Sequence, residues 1–289
     1  MSEDRSRRHL RHGLGSGGRV LGIDVGYSKR KQTTGLCCLW WDEQEIDWQC
    51  EVARTEQASR LAALKRLTLS RASKVDAVAI DGPLRPMLEY REAYRAPESA
   101  LSRGKFQRRG KPGPTNGGSG PRLHQAATDL ARFSMQHLDV RDADLPVKVC
   151  SPAIVEAFPN LFLGVLCEEA SYPAKPTVRR RWTDTLFPIV KGRLTLVLSS
   201  LLPQRRLVGD LELSDHEKVA ALTCAITALC VAAAQFEAVG SIEDGFIVLP
   251  PERFWGRAQS GGRSWAGIEL ERTLAMTLAL FPHVERWRP

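Results

Sequence analysis

From Arg19 onward the chain alternates short apolar runs with polar breaks. RVLGIDVG is an apolar run that closes on Asp24 and a glycine, and TGLCCLWWD and EIDWQCEVA follow it after only a few polar residues each. Runs of this length with breaks this short predict a three-stranded antiparallel meander. Leu61, Ala62, Leu64 and Leu67 recur at helical spacing, so a helix is predicted over Gln57 to Leu69. VDAVAIDGP then reads as another buried strand, ending on Asp81. In the order strand, strand, strand, helix, strand, the helix crosses over to a strand expected to lie parallel in the sheet.

The middle of the chain has a different texture. A helix-like run from Met87 to Leu101 leads into SRGKFQRRGKPGPTNGGSGP, where five basic residues and no acid lie between Ser102 and Gly113. A helix over Leu123 to His137 follows, then VKVC and AIVEAFP as strand candidates, and a helix over Phe162 to Glu169. RRRWTDTLFPIV and RLTLVLSSLL predict one or two further helices, and LELSDHEKVAALTCAITALCVAAAQF is the clearest helix of all. GSIEDGFIVLPP reads as a turn with a short extended segment, and Ser264 to Phe281 as a closing helix. No repeat and no internal linker divides the chain. The expectation is a flexible basic tail over 1–17 and a single domain over 18–289, with an insertion at about 84–140 and a helical extension at about 252–289.

Composition narrows the class. Apolar residues make up 43% and charged residues 26%, which is ordinary for a folded globular chain. Lys and Arg exceed Asp and Glu by 41 to 33, a net charge of +8 that favours polyanionic partners without demanding one. The longest apolar run, Ala220 to Phe236, contains two Thr and a Gln and reads as a buried helix, so no membrane association is expected. The basic N-terminal residues lead into no apolar core of a secretory signal. Seven cysteines without a CxxC pair argue against a zinc ribbon or a disulfide framework. The expected setting is cytoplasmic, with reduced thiols.

Candidate chemistry begins with two apolar strands that each end in Ile-Asp before a small or flexible residue, GIDVG at Asp24 and AIDGP at Asp81. Asp before a turn is common turn chemistry, yet carboxylates at the ends of buried strands need compensation for lost hydration. If the two are neighbours they repel, and a divalent cation is the natural remedy. Ser214-Asp215-His216-Glu217 opens the long apolar helix. Ser214 and Glu217 fit a capping box, which leaves Asp215 and His216 without a task; Asp215 or Glu217 is a candidate ligand. Glu156 lies inside the apolar AIVEAFP and is either on an open strand face or buried for a purpose. Carboxylate oxygens without a His/Cys cluster point to Mg²⁺ or Mn²⁺ rather than zinc. A pair of such ions can activate water and stabilise the leaving oxygen in phosphodiester hydrolysis.

GIDVG, AIDGP, LSRGKFQRRGKPGPT, AIVEAFP, SDHEKVAALTCAITA and DGFIVLPP together, across Val20 to Pro251, resemble the domain of unknown function 429 family, whose members are predicted ribonuclease-H-like (RNase H-like) nucleases. The resemblance implies an α/β, RNase H-like mixed sheet, in which an antiparallel meander is joined by parallel strands and flanked by helices. It implies a metal site formed by Asp24 and Asp81 on adjacent strands and completed by Asp215 or Glu217; Glu156 stands beside these as a separate candidate site residue. One departure stands out: where many relatives place an Asp before the Ala that opens the apolar helix, this chain has Val219 before Ala220.

The basic loop suggests the partner. Arg103, Lys105, Arg108, Arg109 and Lys111 are candidates to track a nucleic-acid backbone, with DNA and RNA undistinguished. Arg179, Arg180 and Arg181 form a second cluster, read as a helix surface or a further contact. Tyr90, Phe106 and Trp182 are candidate stacking platforms, and His124 a candidate acid or base. Three functions compete: a metal-dependent nuclease, a nucleic-acid-binding module with a degenerate site, and an actin-like nucleotide-binding ATPase or kinase. The last lacks GxxxxGK[ST] and GxGxxG, and no second copy of the domain follows.

Overall fold

The computed structural model describes residues 14–28, 30–67, 74–174 and 181–289, the side chain of Trp182 excepted. Strands β1 (Gly18–Asp24), β2 (Thr34–Trp41) and β3 (Glu45–Ala53) form the expected antiparallel meander. Helix α1 (Gln57–Arg66) follows, then the short β4 (Lys74–Val75) and β5 (Ala77–Asp81), and β5 pairs with β1 in parallel. The sheet grows outward from β5 through β7 (Ile154–Ala157) and β10 (Gly245–Leu249), both parallel to it, to β9 (Glu237–Ser241) and β11 (Glu285–Trp287), both antiparallel additions. β8 (Arg206–Leu207) extends the other edge beside β3. The full order is β11-β9-β10-β7-β5-β1-β2-β3-β8, a mixed nine-stranded sheet with helices on both faces.

Period-two alternation decides which layer each side chain enters. Val20, Ala77 and Ala79 face the core made with α4 (Pro159–Leu166), α5 (Trp182–Leu201) and α6 (His216–Ala232). Leu21, Ile23, Val78 and Ile80 face the opposite core, against α1 and α3 (Gly120–His137). Covered on both sides, the central strands read as continuous apolar runs rather than alternating ones. A third core gathers α2 (Ala96–Leu101), Phe106 and α7 (Trp265–Thr277) against β9 and β10.

Several expectations change. The Met87–Leu101 run is not one helix: Pro86–Leu88 forms a 3₁₀ turn and α2 begins only at Ala96. Pro86 and Pro97 each sit in a first helical turn, and the residue before a proline is pushed out of helical geometry. VKVC forms no strand, because Pro146 and Pro152 bracket it and only Cys150 makes an isolated bridge, to Ala153. RRRWTDTLFPIV and RLTLVLSSLL merge into the single helix α5, with Pro188 inside it. The C-terminal extension is not only helical: after α7 the chain returns as β11 and completes the sheet edge beside β9. Residues 1–13 of the expected tail lie outside the described residues, but Leu14 packs on the first core and the Gly15 carbonyl accepts hydrogen bonds from Trp41 Nε1 (3.3 Å) and Arg205 Nη2 (3.0 Å). The basic loop is anchored too, since Phe106 is fully buried with its ring centroid 5.7 Å from that of Trp265. No described helix is long and apolar enough to cross a membrane.

Candidate functional site

β1 and β5 both end in aspartate, and their parallel register places Asp24 directly opposite Asp81. Paired residues on adjacent parallel strands point to the same side about 5 Å apart, so two carboxyls meet at the strand ends. Side by side and buried, the two carboxyls cannot both ionise without a high electrostatic cost. Burial holds Asp24 well above the usual carboxylate range, and the charges of Asp81 and Glu217 push it further, while Arg181 draws it down. Asp81 is pushed up to about 7, chiefly by burial and also by the charge of Glu156, against the hydrogen bond with Asp24. The two titrate as one unit.

Helix α6 delivers the third acid. Its backbone lies directly on β1 and β2 because both strands carry glycine at the contact: a Cβ on Gly22 would stand 2.1 Å from Ala225 N, and one on Gly35 2.2 Å from the Glu217 carbonyl oxygen. Gly35 is the register partner of Asp24, so the first turn of α6 rests beside the aspartates. Glu217, in that turn, faces Asp24 closely enough to raise its pKa. Arg181, at the N-cap of α5, closes the group with Nη1 3.6 Å from Glu217 Oε1.

Within Ser214-Asp215-His216-Glu217 the roles differ from the capping-box reading. Asp215, not Ser214, is the N-cap: its Oδ1 accepts from the Lys218 N–H at 3.1 Å, and the residue is exposed. His216 docks α6 on α5 through Thr183 and, at 3.3 Å, Asp184 Oδ1. Glu217 is thereby released from capping duty. Of the two acids, Asp215 is held at the cap, and Glu217, two residues on and inside the helix, is the one whose charge reaches Asp24.

Glu156 is buried for a structural purpose. Arg95 grips it with Nη1 and Nη2 at 2.7 and 2.8 Å, and the Leu84 N–H donates to it at 2.8 Å. Its register partner is Ile80, one step back from Asp81, so the pleat directs it away from the aspartate pair. Glu156 therefore does not present a free carboxylate; its reach into the site is its charge, felt by Asp81. Arg95 also binds Glu98 Oε1 at 2.7 Å, joining the insertion to the sheet.

His124 is no free acid or base either. It is fully buried, with Nδ1 2.8 Å from the Pro83 carbonyl oxygen and Nε2 accepting from the Arg91 N–H at 3.4 Å, and burial lowers its pKa. Tyr90 stacks on the His124 ring, and Phe106 is committed to the core, so Phe106 offers no stacking face. In the basic loop Lys105 and Arg109 are paired with Glu169, Arg103 is half-buried, and Arg108 and Lys111 are exposed. Arg179, Arg180 and the Trp182 side chain lie outside the described residues.

The acids that assemble are thus Asp24, Asp81 and Glu217, under Arg181. Among the described residues no three His, Cys, Asp or Glu side chains are arranged to hold a metal ion as they stand. Carboxylate oxygens are the donors that hard divalent cations take, and Asp24, Asp81 and Glu217 are the side chains that would supply them here. Sequence reasoning missed Arg181 as a member of this site and Arg95 as the partner of Glu156. Arg181 stood within a basic run that reads equally as helix surface, and no local signal marks a pairing across 61 positions such as Arg95 with Glu156. No family model, curated protein or solved structure matches the chain.

Proposed function

We propose that the chain is a metal-dependent phosphodiesterase acting on nucleic acid, built on an RNase H-like core of the kind suggested by its likeness to the domain of unknown function 429 family. The observation that carries this reading is the register pairing of Asp24 with Asp81, two carboxyls forced together at the ends of adjacent parallel strands. The strand order β3-β2-β1-β5-β7, an antiparallel meander continued by parallel strands, supports the fold, as does an acid-bearing helix laid across β1.

Asp24 and Asp81 would hold the Mg²⁺ or Mn²⁺, with Glu217 as the third carboxylate. A bound divalent ion supplies Lewis acidity and lowers the pKa of a water molecule towards neutrality. Burial raises both Asp24 and Asp81, and both would have to lose their protons to hold the ion, so metal-dependent activity is expected to rise from acid towards neutral and alkaline pH. Glu217 adds negative charge beside Asp24, and the largely exposed Arg181 offsets it with a cation that would be available to a phosphodiester. The exposed Arg108 and Lys111 and the net charge of +8 support a polyanionic substrate.

A second reading, a nucleic-acid-binding module without turnover, is favoured by one observation: Val219, where an acid is expected from the family resemblance, is 2% exposed in the core and lends no ligand. Incubation with single- and double-stranded DNA and RNA in Mg²⁺ or Mn²⁺ separates the two. Cleavage is expected from the native chain and is expected to fall on the order of 100-fold or more in folded Asp24→Asn and Asp81→Asn variants. Salt-sensitive binding with no product over all substrates and both metals would leave the binding module as the function.

A further inference from the structure

The basic loop walls a cavity of about 680 Å³ together with Glu169, Tyr172, Pro173 and Ala174, and none of the acids of the candidate site lines it. Arg109 is its central cation. The guanidinium lies 4.8 Å from the Tyr172 ring centroid and 4.4 Å from that of Trp265, so two aromatic rings fix its plane. Its Nη2 reaches Glu169 at 3.3 Å, but its Nη1 is buried without a hydrogen-bond partner. That nitrogen has almost no accessible surface, so Arg109 acts on the cavity it lines chiefly through its charge.

The remaining charges specify the acceptor. Glu169, the acid of the cavity, is already satisfied by Lys105 Nζ at 2.7 Å, the Gln259 N–H at 2.9 Å and Arg109. Arg108 and Lys111 also line the cavity, are exposed, and among the described residues pair with no acid. Three lining cations against one carboxylate, itself also paired with Lys105, leave the concavity net positive, and the Arg109 fork is held flat by its two rings. Gly110 locks the loop in place: its φ is +79°, and an added Cβ would stand 3.0 Å from the Asn160 carbonyl oxygen, at the start of α4 just beyond β7. The cations are therefore presented on a fixed turn.

We propose that this cavity is a phosphate-binding subsite, with Arg109, Arg108 and Lys111 as its ligands, able to receive a phosphate carried by a nucleotide or by a nucleic-acid strand. It stands apart from the acid pair and does not require that pair to be catalytic. The test measures binding of inorganic phosphate, AMP and a fluorescent single-stranded oligonucleotide to the full chain by titration calorimetry and anisotropy. Arg108→Ala/Lys111→Ala removes two exposed side chains and leaves the core intact; Arg109→Lys keeps the charge and loses the fork. Phosphate-bearing ligands are expected to bind the native chain, at least tenfold more weakly to the double variant, and more weakly to Arg109→Lys. Binding of AMP identifies a free nucleotide as the source, and binding of the oligonucleotide alone identifies strand phosphate. Asp24→Asn is expected to bind as the native chain does, so a failure of hydrolysis leaves this result untouched. Absence of binding by all three ligands at millimolar concentration, or binding unchanged in the double variant, overturns the subsite.

Discussion

Asp24 and Asp81 show how position converts an ordinary side chain into a strained one. In the folded chain Asp81 keeps its proton until about pH 7, whereas the ordinary aspartate value is 3.8. Between those values the folded state binds the proton more tightly than the unfolded state, so stability is greatest below pH 3.8 and is lost as pH rises through about 7. Asp81→Asn removes that loss: its melting temperature is expected to exceed that of the native chain at pH 8, by on the order of 3 °C, with the gap narrowing as pH falls and closing only near pH 3.8. Mg²⁺ is expected to restore the native chain at pH 8 and to leave the variant unmoved; thermal melts across pH with and without the ion check both statements. Asp215 and Glu217 separate along the same helix turn. Asp215→Ala, which removes the cap on the Lys218 N–H, is expected to lose about 1 kcal/mol of stability and keep any metal-dependent activity. Glu217→Gln is expected to do the reverse, and denaturation curves beside activity assays distinguish the two.

At the scale of elements, α6 governs the site because it lies backbone-to-backbone on the sheet. Gly22 and Gly35 permit that approach, and a Cβ at Gly35 would press on the carbonyl of the very residue, Glu217, that the helix delivers. Gly35→Ala must push the start of α6 outward, an overpacking expected to destabilise by about 1–3 kcal/mol. Metal affinity is expected to fall with it, as Glu217 is carried away from Asp24; a calorimetric titration with Mn²⁺ reads that loss. The insertion between β5 and β7 is likewise defined by what it packs on. Its Phe106 enters the third core and its Arg95 reaches back to Glu156, so a glycine- and proline-rich stretch becomes a fixed part of the molecule.

Across the whole molecule the buried ions tie distant segments into one unit. Arg95, 1% exposed, joins Glu98 in the insertion to Glu156 in the sheet, and Arg85 and the Ala96 N–H both bind Asp244 in the β9–β10 turn. Arg95→Ala would leave two carboxylates buried without a cation. The expected penalty is about 3–5 kcal/mol, read by urea denaturation, because removing one partner strands the other's charge away from water.

Local chemistry alone was enough to mark the meander, α1, α3, α6, the two Ile-Asp strand ends and the basic loop, because hydrophobic periodicity and turn residues act over a few positions. It also singled out the tetrapeptide that opens α6. Which member of that tetrapeptide turns towards Asp24 was settled only in three dimensions, where the docking of His216 on α5 sets the helix rotation and makes Asp215 the cap. The same holds for Glu156, whose apolar surroundings revealed burial but not the arginine 61 positions away that satisfies it. It holds also for β11, three residues whose strand character comes from the waiting edge of β9. Register, helix rotation and ion pairing are decided by contacts between segments far apart in the chain, and no window of neighbouring residues contains them.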